Sequence, residues 1–573
     1  MYADTVLING KVFSFEEAYG MPQKTAVAIK DGKITAVGND DEIRKRVSEE
    51  TEVIDCSGNS IFPGLCDAHA HPSTAANIFI SCQLFDITGS PEETCDEVIL
   101  KYTARLAEYC REHEDYSVIK GNGWNRAFFM NTCREKRWPD RHDLDRICDD
   151  RPVVVESYCL HCIWVNTKAI ELAGLSEKTP DPETGEIVRE ESGYPAGVFF
   201  DMEAINLIKN NLDNYDYTVE QYKQTLKRFQ KECASCYGIT LVNDCMCTEN
   251  AVTAYKELAA ENELDMRFRG VYQLENCSDE SVKTIKNRLG KDNVNETFEI
   301  NTIKVFVEGE FVMLEPYSPE FIKTHGLEEG YCGRLFFKDD ELKDALAACM
   351  ETGKQIHIHA MGDGAVHQAV EALCYAQNKT GKKNRNVIAH LMAIADEDLK
   401  LMGENDIMAN LQPRWMIYDS DAEDNYVPMF GKDRALELYP CRKFYDAGCE
   451  VAYGTDFPVT PPPNPFHGIQ CAVTRSVFKG DTAEYENYKG RVLGPEINPS
   501  EECVSLKAAV KSSSWSGAYQ NFLENITGSI EVGKSADIAV LDCDIESINI
   551  DEIYSVEVDT TIFRGKTVYK KGE

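Results

Sequence analysis

Ile61-Phe62-Pro63-Gly64-Leu65-Cys66-Asp67-Ala68-His69-Ala70-His71 is an apolar run that ends on two histidines one residue apart. In an extended strand, residues i and i+2 point to the same side, so His69 and His71 face one way. Two imidazoles converging at the C-terminal end of a strand suit a divalent metal. In a (β/α)8 barrel that end is where active sites lie. An HxH pair also fits a satisfied polar pair, so the rest of the chain has to decide.

Seven more apolar, β-rich runs follow: Ile239–Asp244, Phe268–Gln273, Thr302–Val307, Gln355–His359, Val387–His390, Ile407–Leu411 and Val451–Thr455. They alternate with helical stretches, the pattern of parallel βα units. With Ile61–Ala70 they make eight, the number that closes an α/β TIM barrel. A ninth run, Pro152–Glu156, falls in the long interval between the first two. That interval, about residues 75–215, reads as an insertion that would cover the barrel mouth. Both chain ends read as short strands. Thr5–Ile8 with Asn9-Gly10, and Ala26–Ile29 with Asp31-Gly32 and Ile34–Val37, are expected hairpins. Ile538–Leu541 and the Arg564-Gly565 turn repeat the style. Isolated hairpins are marginal, so residues 1–60 and 521–573 are expected to pair as a small β-sandwich-like domain, leaving 61–520 as the barrel.

The later runs end on further candidates. His359 closes Gln355–His359, His390 closes Val387–His390, and Asp456 follows Val451–Thr455. Singly, each has a bland reading as a hydrogen-bonded core residue or a helix cap; together, four histidines and an aspartate at strand ends fit a metal site. His357 shares a face with His359 and is its rival. Lys304 lies in Thr302-Ile303-Lys304-Val305-Phe306-Val307, whose alternation turns it inward. An inward lysine is costly unless paired or neutral. Burial and nearby metal charge lower an amine's pKa, so the neutral amine could take up CO2 as a metal-bridging carbamate. The alternative is an ion pair with Glu308 or Glu310.

Composition narrows the partners. The 573 residues carry 97 acidic and 60 basic side chains, a net charge of −37, which disfavours nucleic acid and anionic membrane as partners. No run approaches the ~18 apolar residues of a membrane span. The 22 cysteines include no zinc-finger spacing, and the N-terminal stretch lacks a basic and apolar leader. The expectation is a cytoplasmic protein with reduced, mostly buried thiols.

Pro63-Gly64-Leu65, His69-Ala70-His71, Lys304, His359, His390 and Gly454-Thr455-Asp456, in that order, resemble the amidohydrolase superfamily. The chain is most similar to the branch of N-substituted formamide deformylases and related hydrolases. Gly121-Asn122-Gly123-Trp124, His161 with Asn166, His359-Ala360-Met361-Gly362-Asp363, Gln412-Pro413 and Asp456-Phe457-Pro458-Val459 carry that nearer likeness. The resemblance implies one or two divalent ions per chain, with Zn2+ expected. His69, His71 and Asp456 would hold the more buried ion, His359 and His390 the more exposed one, and carboxylated Lys304 would bridge them. Activated water would attack a small amide or formamide, with Asp456 moving the proton and His161 aiding from the insertion. Trp124 and Asn166 are the expected substrate contacts. The insertion aromatics Trp124, Phe128, Phe129, Trp138, Tyr158 and Trp164 would line a pocket or form the insertion's own core. Similar proteins often carry Asp-Gly where this chain has Glu308-Gly309. Homodimerisation is common among such proteins, though nothing here specifies an interface. Two competing readings remain: a mononuclear deaminase, which usually has a glutamate at the position of Gly362, and a silent barrel serving interactions.

Overall fold

The computed structural model describes residues 2–13, 15, 24–133, 137–158, 161–182, 185–309, 311–495 and 498–573. The chain forms two compact units. The first is Met1–Pro72, Lys227–Cys247 and Tyr255–Glu573; the second is Ser73–Leu226 and Thr248–Ala254.

The first unit is built around eight parallel strands. They are β1 (Leu65–Ala70), β2 (Ile239–Asp244), β3 (Arg267–Gln273), β4 (Phe298–Phe306), β5 (Gln355–Ala360), β6 (Val387–His390), β7 (Met408–Leu411) and β8 (Val451–Tyr453). Each pairs with its neighbours in chain order. Two bonds bring the ring round: Asp456 N donates to His69 O at 2.8 Å and His71 N to Phe457 O at 2.7 Å. That approach needs a glycine at 454, where a Cβ would lie 2.6 Å from His69 Cβ. Helices after the strands lay an apolar stripe on the sheet; Asp363–Thr380 buries Ala365, Val366, Ala369, Val370, Ala372 and Leu373. The eight expected runs are these eight strands, which makes the chain an α/β barrel. Several boundaries shift, β4 starting four residues earlier than expected and β8 ending two earlier, and the first run splits. The Ile61–Ala70 run divides at Gly64, where a Cβ would stand 2.1 Å from Thr240 Oγ1, and Ser60–Pro63 joins another sheet.

That other sheet mixes the two chain ends, in the order Lys11–Val12, Ser60–Pro63, Ile538–Leu541, Val558–Phe563, Lys566–Lys570. A four-stranded sheet holds Lys33–Gly38, Ala26–Lys30, Thr5–Ile8 and Glu52–Asp55. Leu7, Val27, Ile29, Ile61, Ile538, Val540 and Ile562 share one core across both. Asp31-Gly32 and Arg564-Gly565 are hairpin turns as expected, with φ of 51° and 74°, and 51° and 78°. Asn9-Gly10 is not. Thr5–Ile8 and Lys11–Val12 lie in different sheets, because Gly10 N donates to Thr25 O and Lys11 N to Asn59 O, drawing the chain away from its own predecessor.

The second unit is a six-stranded mixed sheet, ordered Glu186–Arg189, Pro195–Phe200, Cys162–Val165, Val153–Ser157, Ile119–Trp124, Cys82–Gln83. The ninth apolar run belongs here. Apolar cores cover both faces of the sheet. Cys95, at the start of a helix, and Cys133 are joined as a disulfide, with Cα atoms 5.8 Å apart. This pair departs from the expectation of reduced thiols throughout: the helix start and the chain beyond Phe128–Thr132 bring two buried cysteines within bonding reach. Cys56, Cys66 and Cys245 are free and buried, as expected. No helix among the described residues is long and apolar enough to cross a membrane.

Candidate metal centre

The C-terminal strand ends bring the expected ligands together. β1 presents His69, with His71 just beyond it; β4 presents Lys304, β5 His359, β6 His390, and the chain after β8 Asp456. His71 Nε2 lies 3.0 Å from Asp456 Oδ1, His69 Nε2 lies 3.4 Å from the same oxygen, and Lys304 Nζ lies 3.4 Å from His69 Nε2. The ring of His390 is 4.8 Å from that of His69 and 4.5 Å from that of His359. His390 is oriented by Gln412, whose Oε1 is 2.8 Å from its Nδ1 and whose Nε2 donates to Asn410 Oδ1 at 2.9 Å. Trp415 stacks on its face at 5.5 Å.

Two of these residues are backbone outliers. His390 has φ of 80° and Asp456 φ of 59°, a region that costs a side-chain-bearing residue roughly 1–3 kcal/mol. Bonds on either side hold them there: Leu391 N to Ala360 O at 3.0 Å, and Asp456 N to His69 O at 2.8 Å. Such strain concentrates where function requires a side chain at a particular angle.

Burial, reinforced by the Lys304 amine, keeps His69, His357 and His390 well below the usual imidazole range. The imidazoles are therefore neutral, with a lone pair available for a cation. Burial also lowers Lys304 itself. Asp67 is pushed up to about 7 by burial, while Thr455 N and Oγ1 donate to its oxygens at 2.9 and 2.5 Å. Among the described residues, two sets have ligand atoms within 4.8 Å of one another: His69, His390 and Asp456, and His69, Cys245 and His357. Neutral imidazoles around one carboxylate suit a divalent ion, so the residues present fit the expected metal.

His357, the rival of His359, and Cys245, which no motif singles out, both lie beside His69. His357 Nε2 is 2.8 Å from His69 Nδ1, and the residue is fully buried. A hydrogen bond on the second ring nitrogen fixes the ring orientation and tautomer of a ligating histidine. Cys245 stands one residue past β2, at the same end of the barrel as the candidate ligands. The alternative of an ion pair between Lys304 and Glu308 does not form. The Glu308 carboxyl instead accepts from Val312 N at 2.5 Å, Gly362 N at 3.1 Å and Met361 N. Burial pushes it up to about 8. Glu310 lies outside the described residues.

The remaining expected residues lie in the second unit. His161 is partly exposed, with Nδ1 3.5 Å from Asp201 Oδ1. Trp124 and Asn166 are corrections, since both are 0% exposed and neither presents a surface to substrate. Trp124 packs against Phe129 and Trp164 and donates from Nε1 to Val155 O at 3.1 Å. Asn166 caps helix Thr167–Leu172 and ties it to Val153, Cys148 and Arg151. Phe128 and Phe129 are core as well, with Trp138 packed against them, whereas Tyr158 is 62% exposed.

Comparison with known proteins agrees with this geometry. The Amidohydrolase family profile matches residues 52–569. A putative amidohydrolase, YtcJ, of Bacillus subtilis is 26% identical, over 95% of this chain and 96% of its own. N-substituted formamide deformylase of Arthrobacter pascens is 24% identical, over 99% and 98%. The structure of an uncharacterized metal-dependent hydrolase from Pyrococcus horikoshii superposes with a TM-score of 0.70 at 22% identity, over 95% of this chain and 99% of that one. With strand-end histidines, an inward lysine and a profile match over most of its length, the chain belongs to the amidohydrolase family.

Proposed function

We propose that this protein is a metal-dependent hydrolase of a carbon–nitrogen bond in a small organic amide or formamide, with Zn2+ as its ion. The observation that carries the reading is the convergence on Asp456 Oδ1, with His71 Nε2 at 3.0 Å and His69 Nε2 at 3.4 Å, beside the Lys304 amine. His69, His71 and Asp456 would hold one ion and His359 and His390 a second, with Lys304 bridging as its carbamate. Burial supports that carbamate, because a neutral amine is the form that adds to CO2, losing a proton as the N–C bond forms. When bound, the metal supplies a Lewis acid for the carbonyl and makes water a better nucleophile near neutral pH.

The chain's own groups do the rest. Asp456 Oδ1 accepts the proton of the attacking water and returns it to the leaving nitrogen. Its backbone, held to β1, fixes the direction from which it does so. The Gln412–His390 bond sets the imidazole's angle, and Trp415 shields one face of it. The formamide preference draws on the likeness to the Arthrobacter deformylase.

The deaminase reading is disfavoured by the backbone at 362. A Cβ on Gly362 would stand 2.1 Å from Val312 O and 2.7 Å from Val312 N. No side chain fits where a deaminase would need its proton-shuttling glutamate. The functional test is formate or carboxylate release from a panel of N-substituted formamides and amides, by wild type and by Asp456→Asn. Release by wild type that collapses in the variant supports the reading. Release that is equal in both removes Asp456 from the mechanism, and ammonia release from aminated heterocycles alone would replace hydrolysis with deamination.

A further inference from the structure

Cys95, at the start of the helix Cys95–Glu112, is bonded to Cys133, 38 residues later. Near the other end of that helix stands Cys110, and Cys148 repeats the separation. Both are free and buried in the same apolar core. Arg151 ties the two together. Its Nη2 donates to Cys110 O at 3.2 Å and its Nη1 to His113 O and Tyr116 O at 2.8 and 3.1 Å, while Cys148 Sγ lies 3.7 Å from Arg151 O. Asn166 fixes the other side, its Nδ2 donating to Cys148 O and to Arg151 O at 2.8 Å each. The helix end is thus clamped to the turn after Arg141–Asp145, with the two thiols in hydrogen-bonding contact. That contact holds Cys148 down to about 7, against burial, and pushes Cys110 up. At Cys148 the Arg151 backbone and charge assist, and the Asp150 carboxylate, 3.4 Å away, opposes. Near neutral pH Cys148 is therefore partly thiolate, the nucleophilic form, with a second thiol beside it to resolve an oxidised sulfur.

We propose that Cys110 and Cys148 form a redox-modification site, closing as a second disulfide of this unit when the protein meets a hydroperoxide. The proposal is independent of the metal centre. The Cys148 thiolate attacks one peroxide oxygen, the O–O bond breaks, and Cys148 becomes a sulfenic acid as the other oxygen leaves as hydroxide or alkoxide. Cys110 then attacks that sulfur. The S–S bond forms, the S–O bond breaks, and the Cys110 proton leaves with the hydroxyl as water. In all, two electrons pass from the two sulfurs to the peroxide. The helix Cys95–Glu112 is then stapled near both ends, and the loop closed between Cys110 and Cys148 restricts the unfolded chain.

The test treats full-length protein with hydrogen peroxide at neutral pH, blocks remaining thiols with N-ethylmaleimide in denaturant, and maps a digest made without reductant by mass spectrometry. The expected result is a peptide pair joined through Cys110 and Cys148 and released by dithiothreitol. Cys82, a thiol of the same unit that burial pushes up to about 12, should react about tenfold or more slowly. Cys110→Ser should halt the sequence at the sulfenic acid, captured on Cys148 by dimedone, and Cys148→Ser should leave Cys110 reduced. Wild type in which both cysteines remain alkylatable after Cys82 has reacted overturns the proposal without any variant. A disulfide from Cys148 to a different cysteine overturns it equally. So does a Cys110–Cys148 link that forms only in urea, because it then owes nothing to the folded juxtaposition.

Discussion

Replacing Glu308 with alanine tests how the loop after β5 is held. The carboxyl is 1% exposed and accepts three backbone N–H groups, from Val312, Met361 and Gly362. Met361 and Gly362 follow His359 within three residues, so this one side chain anchors the turn that follows the candidate ligand His359. Alanine leaves all three donors buried without an acceptor. At roughly 1 kcal/mol or more for each donor, plus a cavity, the cost is about 3–5 kcal/mol. Glu308→Gln keeps an oxygen for Met361 and Gly362 but turns an NH2 towards Val312 N–H, at a cost of about 1–2 kcal/mol. The pH dependence separates the two effects. Burial raises this carboxyl from 4.5 to about 8, so the folded state keeps a proton that the unfolded chain has released. Its contribution to stability therefore falls as pH rises from 4.5 to about 8. Glu308→Gln should remove that slope. Urea unfolding across this pH range, followed by circular dichroism, measures both quantities. An alanine variant within about 0.5 kcal/mol of wild type, the usual span of a surface change, with the wild-type pH slope intact, would refute the reasoning.

Other perturbations give separate readings. Lys304→Ala should lose most activity and at least one metal ion, with partial recovery in small carboxylic acids that stand in for the carbamate; full activity with full metal content would end the bridging role. Asp456→Asn should cut kcat by about 10²–10⁴-fold with little change in KM, the signature of a lost proton transfer, and a pure KM effect would contradict it. Gly362→Glu should fail to confer deamination and should unfold more easily, because the backbone at Val312 occupies its Cβ position; a stable variant would refute the packing argument. In the second unit, the Lys120 ammonium lies 4.3 and 3.6 Å from the Tyr215 and Tyr217 ring centroids, and burial lowers it from 10.5 to about 8, opposed by Glu156. Between those values the unfolded chain binds the extra proton, so stability should rise with pH across that window, and Lys120→Met should flatten the rise.

The barrel was legible because each strand is apolar, short and bounded, and because the candidate ligands sit at one end of the repeat. His69 and His71 could be paired from their spacing alone, and Asp456 from its place after the last strand. What the sequence concealed has physical causes. Period-two alternation tells which face His357 and His359 share, but not that His357 meets His69 while His359 stands against His390. Asn9-Gly10 has the chemistry of a hairpin turn, yet longer-range bonds from Gly10 and Lys11 override it. The division of Ile61–Ala70 at Gly64 arises from contact with Thr240, 176 residues later in the chain. Trp124 and Asn166 show the limit of reading function from a motif. An asparagine directly before a helix is already a capping signal, and the structure uses it as one.

The proposed function depends above all on a bridged metal centre at the C-terminal end of the barrel. Elemental analysis of protein purified without chelators, with bicarbonate supplied, tests it most directly. The expected result is about two divalent ions per chain, the number a bridged binuclear site holds, and loss of at least one in Lys304→Ala. About one ion per chain, unchanged by that substitution, would contradict the bridge and leave a mononuclear centre in its place.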